Sequence, residues 1–416
     1  MKKKKDILFL CQYFYPEYVS SATLPLDTAV ALSNAGFTVG ALCGYPKEYS
    51  MVGRVLLKET YENIGIRRLK YIQFKRSSFI GRLINYFSFT ASVALHFFMF
   101  KNYKAIIVYS NPPVLPLVAL LASKIFNAKL IFVSYDVYPE MAHVTNSLRK
   151  NSIISKFMDS VNRKVFKSVS KVVALSSEMK LFLLNHRRGI NEHQIEVIPN
   201  WYEEKRSAAR AGLPANTTIQ SIKSDDNIVV SYLGNLGICQ DHETILEAMR
   251  RLKNDRRVKF VFAGHGNKMA AIKSIVVEEG LSNVTVLGFL HGQDYQDALH
   301  ISDLFIVSLL DGLTGLAVPS KTYSYMMAGK PVIAIMGDDS DIARDLQSNH
   351  AGFVVQVGEA SKLVEAIIEL RDDTDRRREM GLNCRAVFAS KYTKEICTQK
   401  YVEMMKRVLG DKAYVQ

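Results

Sequence analysis

The chain has 416 residues and a mass of 46.9 kDa, a length that suggests about two to four domains, two large ones first. Hydrophobic residues make up 48% and charged residues 23%, a balance that excludes a disordered or fibrous chain. Lys plus Arg number 54 and Asp plus Glu 40, so a net charge of +14 favours an anionic partner: nucleic acid, anionic lipid or a phosphorylated substrate.

The N-terminal Met1-Lys2-Lys3-Lys4-Lys5-Asp6 is similar to the basic start of an export signal. The apolar run behind it, Ile7 to Cys11, is too short for one, and no small-residue cleavage site follows, so it reads as a first buried strand. A helical stretch (26–33) stops at Gly36, and Thr38 to Leu42 reads as a second strand, giving a βαβ unit with a parallel sheet. The alternation continues with strands at 105–109, 129–134, 171–175 and 195–198, and helices at 114–126 and 153–169. Residues 203–227 are polar, lack periodicity and contain Gly212-Leu213-Pro214-Ala215, so they read as a linker. A second series has strands at 228–233, 260–263, 284–287, 304–307, 332–335 and 352–355, followed by a helical stretch over about 359–410. Five cysteines, an odd number without a CxxC, support neither a disulfide framework nor a zinc ribbon. A reduced, cytoplasmic location fits.

The charge is unevenly placed. Residues 1–200 hold 27 Lys/Arg and 12 Asp/Glu, a net of +15, whereas residues 201–416 hold 27 and 28, a net of −1. Leu83 to Phe100 has no Asp, Glu, Lys or Arg. Three readings stand for it: a buried core helix, an interfacial helix with basic flanks, and a membrane span, the last disfavoured because it would split the βαβ series. Lys70, Lys75, Arg76, Arg82, Lys101 and Lys104 lie nearby, and each cation at an anionic leaflet contributes about 1 kcal/mol. A solvated basic face is the plain alternative. No helix-turn-helix, zinc-finger or RNP signature occurs, so no nucleic-acid partner is expected.

Ligands of open parallel sheets bind at the carboxyl ends of strands. The first such loop lacks G-x-G-x-x-G but carries Ser20 and Ser21 at a helix start, small enough for a phosphate to approach. Tyr135-Asp136-Val137-Tyr138-Pro139-Glu140 follows another strand, and a carboxylate there suits polarising a hydroxyl as well as it suits capping a turn. Gly234-Asn235-Leu236-Gly237 and Gly264-His265-Gly266 close two strands of the second domain, where backbone N–H groups can face a phosphate. The segment 310–333 runs from a loop containing Gly312, Gly315 and Leu316 to Ser320, read as a helix N-cap, and Lys321 in the first turn. Amides, a helix start and a lysine converging on one spot suit a diphosphate.

These motifs together resemble the family 4 glycosyltransferases. The resemblance covers nearly the whole chain. It rests on Gly-Asn-Leu-Gly at 234–237, Ala-Gly-His-Gly at 263–266, Val-Pro-Ser-Lys at 318–321 and Ala-Gly-Lys-Pro-Val at 328–332. Tyr-Asp-Val-Tyr-Pro-Glu at 135–140 and Val-Ile-Pro-Asn-Trp at 197–201 are similar to a subgroup that builds bacterial O-antigen, capsule and exopolysaccharide. The resemblance implies a GT-B fold: two Rossmann-like α/β domains facing across a cleft, with a C-terminal helix crossing back. The expected divisions are 1–202 for a basic, membrane-facing acceptor domain, 203–392 for the nucleotide-sugar domain and 393–416 for the returning helix. It implies a nucleotide-diphosphate sugar donor, retention at the anomeric carbon, and no metal or other cofactor.

Expected donor contacts are Gly234, Asn235, Gly237, Gly264, Gly266, Gly288, Gly312, Gly315, Leu316, Ser320, Lys321 and Ser324. Expected acceptor contacts are Ser20, Ser21, Tyr135 and Asp136. The catalytic candidates are Asp136 to orient the acceptor, Glu140 to support it, and Lys321 to stabilise the leaving diphosphate. The chain departs from the family in several places. The family's acidic pair falls at Leu316 and Ser324, its diphosphate-contacting Arg and Lys at Asn235 and Gln240, its double glycine at Ser20-Ser21, and its histidine at Tyr135. Lys321 can supply the missing cation. The acceptor is expected to be a lipid-linked saccharide at the anionic inner face of the cell membrane. The alternatives are a nucleotide-sugar 2-epimerase on the same fold and a non-catalytic, membrane-bound nucleotide-sugar-binding scaffold.

Overall fold

The computed structural model describes residues 4–46, 53, 55–74, 79–203 and 216–410. The chain divides into two compact units: Met1–Asn200 with Gly315–Ala317 and Lys394–Gln416, and Trp201–Thr314 with Val318–Thr393.

The first unit holds β1 (Lys5–Leu10), β2 (Val39–Gly44), β3 (Lys58–Tyr61), β4 (Ile64–Leu69), β5 (Tyr103–Tyr109), β6 (Lys129–Ser134), β7 (Lys171–Ala174) and β8 (Ile195–Val197). Its helices are α1 (Ser20–Asn34), α2 (Phe79–Leu95), α3 (Leu115–Phe126), α4 (Glu140–Val144), α5 (Ile153–Phe166) and α6 (Ser177–His186). The eight strands lie in the order β3-β4-β2-β1-β5-β6-β7-β8. Every pair is parallel except β3 with β4. Ile7 to Leu10 and Ala105 to Val108 are buried throughout, as befits central parallel strands covered on both faces. The β3–β4 hairpin had no counterpart in the sequence reading. Its two turn residues, Glu62 and Asn63, sit at φ 48° and 59°, the left-handed pair that a tight hairpin demands.

Helix α2 bears on the three readings of residues 83–100. It is 17 residues long, and no described helix is long and apolar enough to cross a membrane. One face is core: Phe89 and Val93 are buried, and the Asn85 amide bonds both the N–H and the C=O of Phe74, at 2.8 and 3.0 Å. The other face leaves Ile80, Phe87 and Leu95 exposed, continued by Phe98 beyond the helix end. Lys75 and Arg76 lie outside the described residues.

The second unit holds β9 (Ile228–Leu233), β10 (Val258–Ala263), β11 (Val284–Leu287), β12 (Leu304–Ser308), β13 (Val332–Ile335) and β14 (Gly352–Val355), in the order β11-β10-β9-β12-β13-β14, all parallel. Its helices are α7 (Thr217–Gln220), α8 (Glu243–Arg251), α9 (Asn267–Glu278), α10 (Gly292–Ile301), α11 (Lys321–Met327), α12 (Asp341–Ser348), α13 (Ala360–Asp372) and α14 (Thr374–Lys391). Residues 204–215 of the expected linker lie outside the described residues. The remainder is not featureless. The Asn216 side chain caps α7, accepting from Thr218 and Ile219 N–H at 3.1 and 3.2 Å.

The helical stretch expected after 359 is broken into α13, α14 and a final α15 (Lys394–Leu409). The side chain of Asp373 caps α14, which enforces the first break. Helix α15 belongs to the first unit, where Lys394 pairs with Asp27 at 3.0 Å and Arg407 with Glu196 at 3.0 Å.

Candidate active site

In the second unit the loops after β9 and β10 are bonded to one another. Gly234 N–H donates to Ala263 O at 2.7 Å, Leu236 N–H to His265 O at 2.8 Å, and Lys268 N–H to Leu236 O at 3.1 Å. The glycines serve this close approach. A Cβ at Gly264, which has φ +141°, would lie 2.0 Å from Gly234 O, and one at Gly266 would lie 2.2 Å from Leu236 O. This corrects the expectation that the Gly234–Gly237 amides face a phosphate. Those of Gly234 and Leu236 are spent between the loops, and that of Gly237 donates to Gln240 Oε1 at 2.7 Å. Gly288 accepts from Gly264 N–H at 3.1 Å, joining the loop after β11 to the same structure. Phe289 stands exposed there, its ring 5.2 Å from His265 and 6.3 Å from His291.

Lys321 reaches these loops from the start of α11. Its Nζ donates to Tyr232 Oη at 2.8 Å and to Asn235 O at 3.0 Å, and lies 4.5 Å from the centroid of the Tyr232 ring. Desolvation pushes its ammonium down to about 7, slightly opposed by the Cys239 thiol. No carboxylate pairs with it among the described residues. Tyr325 fixes the strand end beside it, donating to Leu233 O at 2.9 Å and accepting Leu233 N–H at 2.7 Å. Ser324, where the family carries an acid, bonds Tyr295 Oη at 2.9 Å and donates to Lys321 O at 2.8 Å.

One further expectation changes. Ser320 occupies the N-cap position without a side-chain cap bond, because its backbone is already helical at φ −61°, ψ −20°. Gly312 stays with the second unit, whereas Gly315 and Leu316 group with the first.

In the first unit, β1, β5 and β6 end side by side. Ser110 Oγ accepts the N–H groups of Tyr135 and Asp136 at 3.1 and 3.3 Å, holding the turn after β6. Asp136 lines a small recess together with Ser110, Asn162 and Arg187. Desolvation pushes its half-buried carboxyl up to about 6. Glu140 differs. Burial opposes its ionisation, but Arg187 outweighs burial with two bonds of 2.6 Å and holds the carboxyl below its ordinary range. Both oxygens are engaged, so Glu140 is a structural partner of Arg187 and not a second proton carrier. That corrects its expected catalytic role. Tyr135 packs against Tyr109, their rings 5.0 Å apart. Ser20 and Ser21 occupy the first turn of α1, whose N-cap Val19 offers no side-chain bond.

Three polar residues at these strand ends escaped the sequence reading. Gln12 Nε2 and Oε1, Tyr109 Oη and Asn111 Oδ1 are buried with no hydrogen-bond partner among the described residues. An unsatisfied buried group costs about 1–3 kcal/mol, and several together suit the hydroxyls of a ligand. The only signal was a polar side chain closing an apolar strand, which is common.

A profile described as glycosyl transferases group 1 matches residues 227–373. A probable glycosyltransferase of Pseudomonas aeruginosa, WbjE, is 25% identical over 308 residues, covering 73% of this chain and 74% of that protein. A putative colanic acid biosynthesis glycosyl transferase of Escherichia coli, WcaI, is 22% identical over 261 residues, covering 61% of this chain and 63% of that one. Among solved structures, Anabaena HepE in complex with UDP is similar in fold, with a TM-score of 0.67 and 18% identity, covering 97% of this chain and 100% of that chain.

Proposed function

We propose that this chain, a family 4-like glycosyltransferase with the GT-B fold, moves a sugar from a nucleotide diphosphate to a hydroxyl of a lipid-linked saccharide during bacterial surface polysaccharide synthesis. The observation that carries the reading is Lys321: a half-desolvated cation without a carboxylate partner among the described residues, held at the interlocked glycine loops by Tyr232 and Asn235. Such a group is completed by an anion. A diphosphate supplies one, and HepE, a structural neighbour, is described in complex with UDP.

In this reading the bond from the anomeric carbon to the diphosphate oxygen breaks, and the acceptor oxygen forms the new bond. Negative charge builds on the departing diphosphate, where Lys321 meets it. The acceptor hydroxyl bonds Asp136, which takes up its proton, and Gln12, Tyr109 and Asn111 bind neighbouring hydroxyls. Phe289 with His265 and His291 forms the surface on which the base stacks. Retention and independence of divalent metal follow from the family resemblance.

The membrane part of the reading rests on the first unit. Its half of the chain carries +15, and α2 with its extension turns Ile80, Phe87, Leu95 and Phe98 outward, Leu95 at 84% exposure and Phe98 at 74%. A basic body with an apolar helix face suits an anionic bilayer surface, on its cytoplasmic side where nucleotide sugars are made. The test is incubation of the pure protein with UDP-, GDP- and dTDP-sugars, with and without extracted membrane lipid. Radiolabel entering the lipid fraction is the expected result. A donor epimerised without acceptor, or a donor left untouched with every lipid fraction, would sink the transferase reading.

A further inference from the structure

On the first unit, the β3–β4 edge and the C-terminal end of α2 line an open cavity of about 270 Å³, apart from the strand-end residues described above. Lys58, Arg67, Arg68, Lys70 and His96 line it, and among the described residues no acidic one does. Arg68 is largely committed. It is buried, donates to Tyr15 O at 2.7 Å and Leu56 O at 2.8 Å, and pairs with Glu59, yet its Nε is buried without a partner among the described residues. Arg67 is uncommitted. Among the described residues its guanidinium meets only Met99 Sδ, at 3.1 Å, and a thioether is a weak acceptor. Lys58 and Lys70 are exposed, and neither pairs with a carboxylate among the described residues. His96 is oriented by its Nδ1, bonded to Ser92 O at 2.9 Å.

The charges of Lys58, Arg67 and Lys70, which no carboxylate pairs with among the described residues, repel one another, and a bound anion relieves that repulsion. A guanidinium with its fork free favours a phosphoryl group, which it can hold through two parallel bonds. The volume is below the roughly 300–1,000 Å³ of sites that hold whole small ligands, a size for a headgroup and not for a nucleotide sugar. Apolar side chains flank the basic set: Leu57 lines the cavity, and Leu95, next to His96, belongs to the exposed face of α2.

We propose that this cavity binds the phosphoryl group of an anionic lipid, with the outer face of α2 entering the bilayer beside it. The proposal takes its source of phosphate from the membrane reading above. The test is flotation of the full chain with phosphatidylcholine vesicles, with and without phosphatidic acid. Arg67→Lys keeps the charge and removes the fork, so it should weaken binding to phosphatidic acid vesicles at least threefold. Lys70→Ala should weaken it about fivefold, the worth of one cation at a leaflet. The control pair Lys253→Ala and Lys273→Ala, on the second unit, should change it less than about twofold on the same scale. Arg67→Lys and Lys70→Ala both binding as wild type would overturn the site. If Phe87→Ser with Leu95→Ser then abolishes flotation, the membrane reading survives and only the pocket fails. If that pair also floats as wild type, the membrane reading fails too. Thermal protection by inorganic phosphate alone that is lost in Arg67→Lys, without any preference for phosphatidic acid, would assign the pocket to free phosphate and overturn the lipid.

Discussion

The Lys321 ammonium lies over the ring of Tyr232 and donates to its hydroxyl, so one tyrosine both desolvates the cation and fixes its direction. Tyr232 is itself buried and donates to Asn235 O at 3.1 Å, the carbonyl that Lys321 also meets. The three groups form one small network at the end of β9.

Nucleotide binding should therefore be linked to proton uptake. With Lys321 near 7, the free protein is only partly charged there at neutral pH, and a bound diphosphate favours the ammonium. Affinity for the nucleotide diphosphate should fall as pH rises above about 7, by at most tenfold per pH unit. Calorimetry in two buffers of different ionisation enthalpy reads the proton count. Lys321→Met should bind weakly and without this slope. A dissociation constant flat from about pH 6 to about pH 9 would contradict the assignment. The same shift affects stability. The unfolded chain holds a proton on this lysine up to its ordinary value near 10.4, so this contribution makes stability rise with pH between about 7 and 10.4.

Asp136 predicts an acid limb. Its carboxyl titrates near 6, and the proton-accepting form is the ionised one, so turnover should rise with pH through about 6 and then level off. Asp136→Asn should lower kcat by about 100-fold or more. It should also raise Tm at neutral pH. The folded state holds more protons than the unfolded one between about 4 and 6, so ionising Asp136 costs stability as pH rises through that window, and Asn removes the cost. A drop in Tm would count against a desolvated carboxylate.

Gly264→Ala tests the interlocked loops. Its Cβ would fall 2.0 Å from Gly234 O at a φ of +141°. The backbone must shift, at a cost of at least ~2 kcal/mol. Urea unfolding reads the loss, and nucleotide binding should fall with it. A neutral effect on both would show that the loops tolerate separation.

The pair of Glu140 and Arg187 should behave as structure. Arg187→Met strands a largely buried carboxylate, and the expected loss is about 2–3 kcal/mol. Adding Glu140→Leu should recover part of it. Additive losses in that double-mutant cycle would refute the pairing. Glu140→Gln should keep most activity, in contrast to Asp136→Asn.

The parallel strands were legible because a strand buried on both faces is a continuous apolar run, as Ile228–Leu233 and Val332–Ile335 are. The β3–β4 hairpin was not, since Lys58–Tyr61 is an exposed edge strand of polar residues and its turn, Glu62–Asn63, carries no glycine. The GT-B fold was legible through its short motifs. The roles of the glycines were misread, because a close approach between two backbones and a close approach to a phosphate ask for the same residue. Gln12, Tyr109 and Asn111 could not be found from the sequence. Their unpaired atoms are a property of two strand ends, those of β1 and β5, lying side by side. Glu140 was misjudged for a similar reason, its partner Arg187 lying 47 positions away.

The return of α15 to α1 bears on how the chain is made. The first unit is built from residues at both ends of the described chain, closed by Lys394 on Asp27 and Arg407 on Glu196. During synthesis its sheet can assemble early, but α1 stays uncovered where α15 will pack until the whole second unit has emerged. For that interval the nascent polypeptide exposes an apolar seam, on which Cys397, Tyr401 and Met405 later become buried. Chaperone occupancy on ribosome-bound chains should be highest between completion of the first sheet and appearance of residues 394–409.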